Sequence, residues 1–505
     1  MNDDYLARIL RAKVYDVAIE SPLDPAPRLS ARLGQRVWLK REDLQPVFSF
    51  KLRGAYNKIA HLSSAVAARG VICASAGNHA QGVALAAQRR SIPAVIVMPR
   101  STPAIKVQAV ASRGAEVVLH GDVFDAAAEH AAQLARERGL AFVHPFDDPD
   151  VIAGQGTIGA EVLQQTGGEV DAIYVPVGGG GLIAGIAAYV KQLYPRIRVI
   201  GVEPEDAAAM HDSLRERRRV TLERVGMFAD GVAVKRVGEL TFELAQRYVD
   251  EIVLVTTDEI CAAIQDTFED TRSVPEPAGA LALAGLKRHA AHASHRDQRL
   301  VAINSGANMN FDRLRYVAER ADVGSGREAL LAVEIPEQRG SFLRFCEQLG
   351  NHSVTEFNYR YQGSERAHIF VGLSLSGTAG EIPAEVARLR AAGYTVHDMS
   401  ANEMAKLHVR YMVGGAGASL PDEVVYRFEF PERPGALLRF LQAVGERWNI
   451  SMFHYRNHGS DFGRVLAGIQ VPRAERAEFL QHLGELHFEF AEETANPAYR
   501  MFLRA

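Results

Sequence analysis

Cysteine is scarce in this chain of 505 residues, which carries only Cys73, Cys261 and Cys346. Three widely separated thiols make neither a disulfide framework nor a CxxC metal site, so no metal centre is expected and a reducing, cytoplasmic setting fits. An excess of one charge is lacking too. The 57 basic side chains face 61 acidic ones, a formal net charge of −4, and no Lys/Arg-rich stripe occurs. That excludes the electrostatic footprint of a nucleic-acid binder and favours small-molecule chemistry. Residues 1–10 alternate charged and apolar side chains, unlike the apolar core of a secretion signal or an Arg/Ser-rich transit segment. Long apolar runs are nearly absent. The window 172–190 has 19 residues without a charge, but Pro176 and four consecutive glycines divide it into strand, turn and helix, so no membrane crossing is expected.

What is present is ordinary globular composition, 47% hydrophobic and 23% charged, which excludes wholesale disorder. At about 100–200 residues per domain, the length accommodates three or four domains. Across residues 37–304, short β-branched runs alternate with Ala-rich helical stretches, the pattern of βαβ units around a parallel sheet. Strands are expected over 71–74, 94–98, 116–119, 172–177, 199–202 and 300–304, and helices over 79–90, 124–138, 182–193, 257–269 and 279–289. The polar, Gly-containing stretch 318–327 reads as a boundary between folded units. Beyond it the chain repeats itself: PEQRGSFLRFCEQLGNHSVTEFNYR at 336–360 matches PERPGALLRFLQAVGERWNISMFHYR at 431–456, at an offset of 95 that becomes 96. Each copy reads strand, helix, strand, strand, the order of a small α+β sandwich. The helices fall over 340–349 and 435–447. The expected division is 1–320, 328–400 and 422–503.

Four segments in the first part could carry chemistry. Lys51, in SFKLRG, opens a helix after a strand-like VWLKRE. It is either a solvated charge or a lysine whose amine is freed by its surroundings to form an imine with a carbonyl cofactor. Ser75-Ala76-Gly77-Asn78-His79 lies at a strand-to-helix turn, where converging N–H groups and the helix dipole can hold a carboxylate; ordinary N-capping explains the same residues. Gly178-Gly179-Gly180-Gly181-Leu182 follows another strand and precedes a helix, so it can cradle a phosphate or serve as a turn. Its loose GxGxxA spacing, with Glu203 ending the next strand, also fits a dinucleotide site, whereas the missing GK[ST] excludes a P-loop. Ser305, in NSGAN, stands at the end of the last apolar strand, where it can hydrogen-bond a ring nitrogen or cap a turn.

Taken in order, SFKLRG, SAGNHAQG, PVGGGGL and NSGAN closely resemble the pyridoxal-phosphate-dependent threonine dehydratases of the tryptophan-synthase-β-like, type II class. VIAGQGT, FADGVAVKR, EPAGALALAG and EMAKLHVRYMVGG extend the resemblance over essentially the whole chain. It implies a type II pyridoxal-phosphate fold with parallel-rich open sheets, followed by two α+β ACT-like regulatory domains. It also implies that Lys51 is the Schiff-base lysine and the base for the α-proton, and that Phe50 packs beside the cofactor ring. By the same resemblance Asn78 meets the phenolic oxygen, Gly178 to Leu182 hold the phosphate, and Ser305 faces the pyridine nitrogen. The loop from Ser75 to His79 would hold the carboxylate of L-threonine. A serine at the ring nitrogen gives little drive to protonate it, which favours elimination over transamination. The implied product is 2-oxobutanoate with ammonia, the implied effector L-isoleucine, and the implied assembly a homotetramer. Tyr359, Arg360, Tyr455, Arg456 and Arg410 are the candidates for lining effector sites. Three alternatives remain open: another reaction of the same cofactor class, a nicotinamide-dependent dehydrogenase using Glu203, and a catalytically silent amino-acid sensor.

Overall fold

The computed structural model describes the chain except residues 1–3, 292–294, 337–344, 346–347, 350–353, 360–365, 379, 412–421, 432–447, 457–461, 486–487 and 504–505. Two compact units divide it, Met1–Met309 and Asn310–Ala505.

The first unit contains two sheets, which include all six expected strands and also strands the sequence did not mark, among them Leu23–Pro25, Ala141–Phe142 and Glu251–Val255. The larger orders its strands Leu23–Pro25, Arg36–Arg41, Arg299–Asn304, Ala172–Pro176, Arg198–Pro204 and Glu251–Val255. Only its first pair is antiparallel. The smaller sheet is wholly parallel, in the order Glu116–Leu119, Ala94–Met98, Val71–Ala74 and Ala141–Phe142. Every residue of Val71–Ala74, Ala94–Met98 and Ala172–Pro176 is buried. Continuous apolar strands of this kind are what a parallel sheet covered on both faces requires. The apolar window 172–190 resolves into a strand, a glycine turn and the helix Gly181–Leu193. No described helix is long and apolar enough to cross a membrane.

The second unit repeats one topology. Its sheets run Val354–Tyr359, Arg366–Ser374, Glu328–Pro336, Thr395–Asp398 and Asn449–Arg456, Phe462–Gln470, Glu423–Pro431, Glu489–Glu492, antiparallel throughout. The duplication extends to a register shift. The first copy has it between Val354 and Glu356, opposite Leu373 and Gly372; the second has it between Ile450 and Met452, opposite Ile469 and Gly468. Strand alternation then sorts the side chains by face. Leu331, Val333 and Ile335 join one core with Phe345 and Leu389, whereas Leu330 and Ala332 point the other way. There they meet Phe370, Val425 and Leu466 in a core common to both copies. The expected helices 340–349 and 435–447 lie largely or wholly outside the described residues. The polar stretch expected at 318–327 is helical as far as Gly324, within the helix Arg313–Gly324.

Candidate active site

Adjacent strands of the two sheets end in the segments singled out above. In the smaller sheet, Val71–Ala74 runs into Ser75 and its neighbour Ala141–Phe142 into His144-Pro145-Phe146. In the larger, Arg299–Asn304 runs into Ser305 and its neighbour Ala172–Pro176 into the four glycines. The carboxyl ends of parallel strands are where open α/β sheets bind ligands.

Lys51 is the first residue of the helix Lys51–Ala60, and its Nζ donates 3.1 Å to the Pro145 carbonyl. The same ammonium stands 5.1 Å from the centre of the Phe50 ring. Burial pushes the Lys51 amine down to about 8, opposed by the negative charge of Glu276. Two imidazoles lie nearby, and both are shifted toward the neutral form. His79 is buried, with Nε2 2.9 Å from the Val143 carbonyl, and burial together with the Lys51 charge brings it down to about 3. Burial lowers His144 as well. A neutral His79 Nε2–H donates to that carbonyl, so the imidazole points into the core.

Phe146 joins Lys51 to the glycine turn. A Cβ added at Gly179 would stand 2.2 Å from the Phe146 ring, and one at Gly181 3.0 Å from Phe146. Gly180 takes φ +94°, a left-handed conformation that side chains disfavour, and caps the helix Gly181–Leu193. The turn is held from behind: Thr241 Oγ1 donates 2.6 Å to the Gly179 carbonyl. Asp147, next to Phe146, accepts from the N–H groups of Glu239 and Leu240. Bare backbone at a helix start is the donor set for a dianion.

The segment around Ser305 is zipped to the segment around Lys51. Phe50 N–H donates to the Ser305 carbonyl at 3.2 Å and Ala307 N–H to the Phe48 carbonyl at 2.9 Å. The Ser305 hydroxyl is buried and donates 3.3 Å to the Ala278 carbonyl. Asn78, first in the helix Asn78–Arg90, donates 2.5 Å to Glu276 and accepts 2.7 Å from Asn308. Ser75 Oγ accepts from the Gly77 N–H at 3.2 Å, and a Cβ at Gly77 would meet nothing within 4 Å, so the loop faces open space.

Beneath this lies a charged core. Arg53 is fully buried and bonds Glu42 twice at 2.8 Å and Glu161 at 2.5 and 3.0 Å. Lys40 Nζ lies 2.6 Å from Glu161. Two cations balance two carboxylates, which makes the burial tolerable and fixes the helix that carries Lys51.

The structure therefore brings together Phe50, Lys51, Ser75 to His79, Gly178 to Gly181 and Ser305. Pro145, Phe146 and Glu276 were not nominated as site residues from sequence; Glu276 lies inside EPAGALALAG, and HPFDDPD carries only turn and cap signals. Glu203 is no ribose acid. Fully buried, it accepts from the N–H groups of Met210 and His211, and burial raises it to about 8. Arg410 Nη2 lies 2.7 Å from Glu328, and its Nη1 donates 3.0 Å to the Glu319 carbonyl. Tyr359 and Tyr455 occupy equivalent strand positions, opposite Ile369 and Val465. Arg456 ends its strand opposite Arg464, and Arg360 lies outside the described residues.

A half-buried amine near 8, a glycine cradle that a Cβ would fill and a buried hydroxyl suit pyridoxal phosphate. Residues 14–306 match the family described as pyridoxal-phosphate dependent enzyme, and that is the class which fold and site define. Residues 319–409 and 414–503 each match the C-terminal regulatory domain of threonine dehydratase. The biosynthetic L-threonine dehydratase of Burkholderia multivorans is 57% identical over 99% of both chains. That of Escherichia coli is 54% identical over 99% of this chain and 97% of its own. The chain belongs to the biosynthetic threonine dehydratase family. Among solved structures, the processed threonine deaminase isoform 2 of Solanum lycopersicum is 53% identical, with a TM-score of 0.62, covering 63% of this chain and 92% of its own. Maize serine racemase follows at 32% identity and 0.58, covering 62% and 96%.

Proposed function

We propose that this protein converts L-threonine to 2-oxobutanoate and ammonia, as the isoleucine-inhibited entry to isoleucine synthesis, in the cytoplasm and as a homotetramer. The observation that carries the catalytic half is the Lys51 amine, lowered to about 8 and tied through Pro145 and Phe146 to the glycine cradle. Bound pyridoxal phosphate supplies an electron sink that acidifies the α-carbon of an amino acid joined to it. Lys51 Nζ would anchor the cofactor, and the same nitrogen, when free, would accept the α-proton of the substrate. With its pKa near 8, about a tenth of the Lys51 amine is unprotonated near neutrality, about 300-fold more than for a lysine titrating at its ordinary 10.5. The N–H groups of Gly178 to Leu182 would hold the phosphate, Ser305 would meet the ring nitrogen, and Phe50 would flank the ring. Asn78 would donate to the phenolic oxygen. The Ser75 to His79 loop takes the threonine carboxylate through its N–H groups, since the His79 ring is turned inward.

The two regulatory copies are the sensor for L-isoleucine, which shifts the enzyme toward a less active state by binding that state more tightly. Tyr359, Arg360, Tyr455 and Arg456, at equivalent places in the duplication, are the candidate effector residues, with Arg410. The test is 2-oxobutanoate release from L-threonine by the loaded protein, with and without L-isoleucine. Release suppressed by isoleucine is expected. Release indifferent to isoleucine would discard the sensor, and no release would discard the reaction.

A further inference from the structure

The amide of Asn78 is held at both ends, and its orientation can be worked out from fixed partners. Asn308 Nδ2 donates 2.8 Å to the Val47 carbonyl, a group that can only accept. The same nitrogen donates 2.7 Å to Asn78 Oδ1, which turns the Asn78 oxygen toward Asn308. Asn78 Nδ2 is then the atom 2.5 Å from Glu276 Oε1. Reversing the amide would set donor against donor at Asn308 and acceptor against acceptor at Glu276. Glu276 is itself anchored: it is 4% exposed and directly precedes the helix Pro277–Ala291. Its N–H donates 3.0 Å to the Gly306 carbonyl. A Cβ at Gly306 would come within 2.7 Å of Glu276 Oε1, so the carboxylate lies flat on the segment that carries Ser305.

An amide nitrogen has two protons. Building on the role proposed above for Asn78, we infer that Glu276 is a positioning residue that takes one proton of Asn78 and thereby aims the other at the phenolic oxygen of the cofactor. Asn308 is the second clamp. Neither touches the reacting atoms; both act through Asn78. The arrangement also couples the two sheets, because Asn78 follows a strand of the smaller one whereas Asn308 follows a strand of the larger.

The test compares Glu276→Gln with Glu276→Ala, each with Asn78 intact and with Asn78→Ala. The readouts are the dissociation constant for pyridoxal phosphate and the visible absorption band of the bound cofactor. Gln retains an oxygen acceptor without the charge, and Ala removes both, so the step from Gln to Ala isolates the hydrogen bond. With Asn78 present, Ala should bind the cofactor about tenfold more weakly than Gln and shift the band. With Asn78→Ala, the two should agree within about twofold. A step of the same size in both backgrounds, or none in either, overturns the positioning role. If Glu276→Ala does not fold, Asn308→Leu replaces it: its loss of cofactor affinity must disappear in the Asn78→Ala background, and persistence overturns the role. Failure of the underlying reading is distinct, because Asn78→Ala alone would then bind the cofactor as tightly as the unaltered protein.

Discussion

The two units of this chain spend their buried polar groups differently. In Met1–Met309 they converge: Lys51, His79, Glu276 and Ser305 meet at strand ends, above the ionic core of Arg53, Glu42, Glu161 and Lys40. In Asn310–Ala505 the shared core of the two copies is apolar, with Leu330 and Phe370 from one sheet against Val425 and Leu466 from the other. Among its ion pairs, Arg410–Glu328 joins a helical turn to a strand and Arg320–Glu403 joins two helices. A parallel sheet with helices on both faces collects its strand ends, and with them its chemistry, on one side. Each duplicated antiparallel sheet instead gives one face to the core of its own copy and the other to a core shared with its twin, which the short helices Glu403–Leu407 and Pro497–Phe502 also enter.

The largest expected difference between the units is at Lys51. Lys51→Ala should lower 2-oxobutanoate release by at least about 1000-fold with little change in folding stability, because the residue serves chemistry rather than packing. Next come two structural truncations, one per unit. Arg53→Leu leaves Glu42 and Glu161 buried without their guanidinium and should cost about 3–5 kcal/mol. Phe370→Ala opens a cavity in the shared core, at a similar cost of about 3–5 kcal/mol. The chain has two tryptophans, Trp38 in the first unit and Trp448 in the second. Denaturant unfolding followed in single-tryptophan backgrounds should therefore assign each loss to its own unit. Equal losses at both tryptophans would dissolve the contrast.

The smallest effect per unit of change is a pH slope. Folded His79 titrates near 3 against an ordinary 6.5. Above pH 6.5 it is neutral in both states and contributes no slope. As pH falls from 6.5 toward 3 the unfolded chain takes up a proton that the fold refuses. The Trp38-reported unit should lose up to about 1.4 kcal/mol per pH unit from this group, and His79→Gln should remove that share.

Much of this was readable from residues alone, for identifiable reasons. Parallel strands buried on both faces are continuous apolar runs, which is why five of the six expected strands stood out; the sixth, Glu116–Leu119, is a partly exposed edge strand marked only by its apolar, β-branched run. The segments at their ends stood out because Gly180, at φ +94°, and Gly179, against Phe146, sit where backbone geometry or space demands glycine. The duplication was legible because both copies keep one register, down to the shift opposite Gly372 and Gly468. What escaped was contact without periodicity. Pro145 lies 94 residues from Lys51 and Glu276 lies 198 from Asn78, and no local pattern marks either partner. Glu203 fitted a spacing rule, yet only its two N–H partners reveal a helix cap.

In the function proposed above, the cofactor is joined to Lys51. Borohydride reduction of the pyridoxal-phosphate-loaded protein, followed by peptide mapping, tests this directly. The reduced cofactor is expected on the peptide containing Lys51 and on no other. Label on a different lysine, or none on a loaded and active protein, would contradict it.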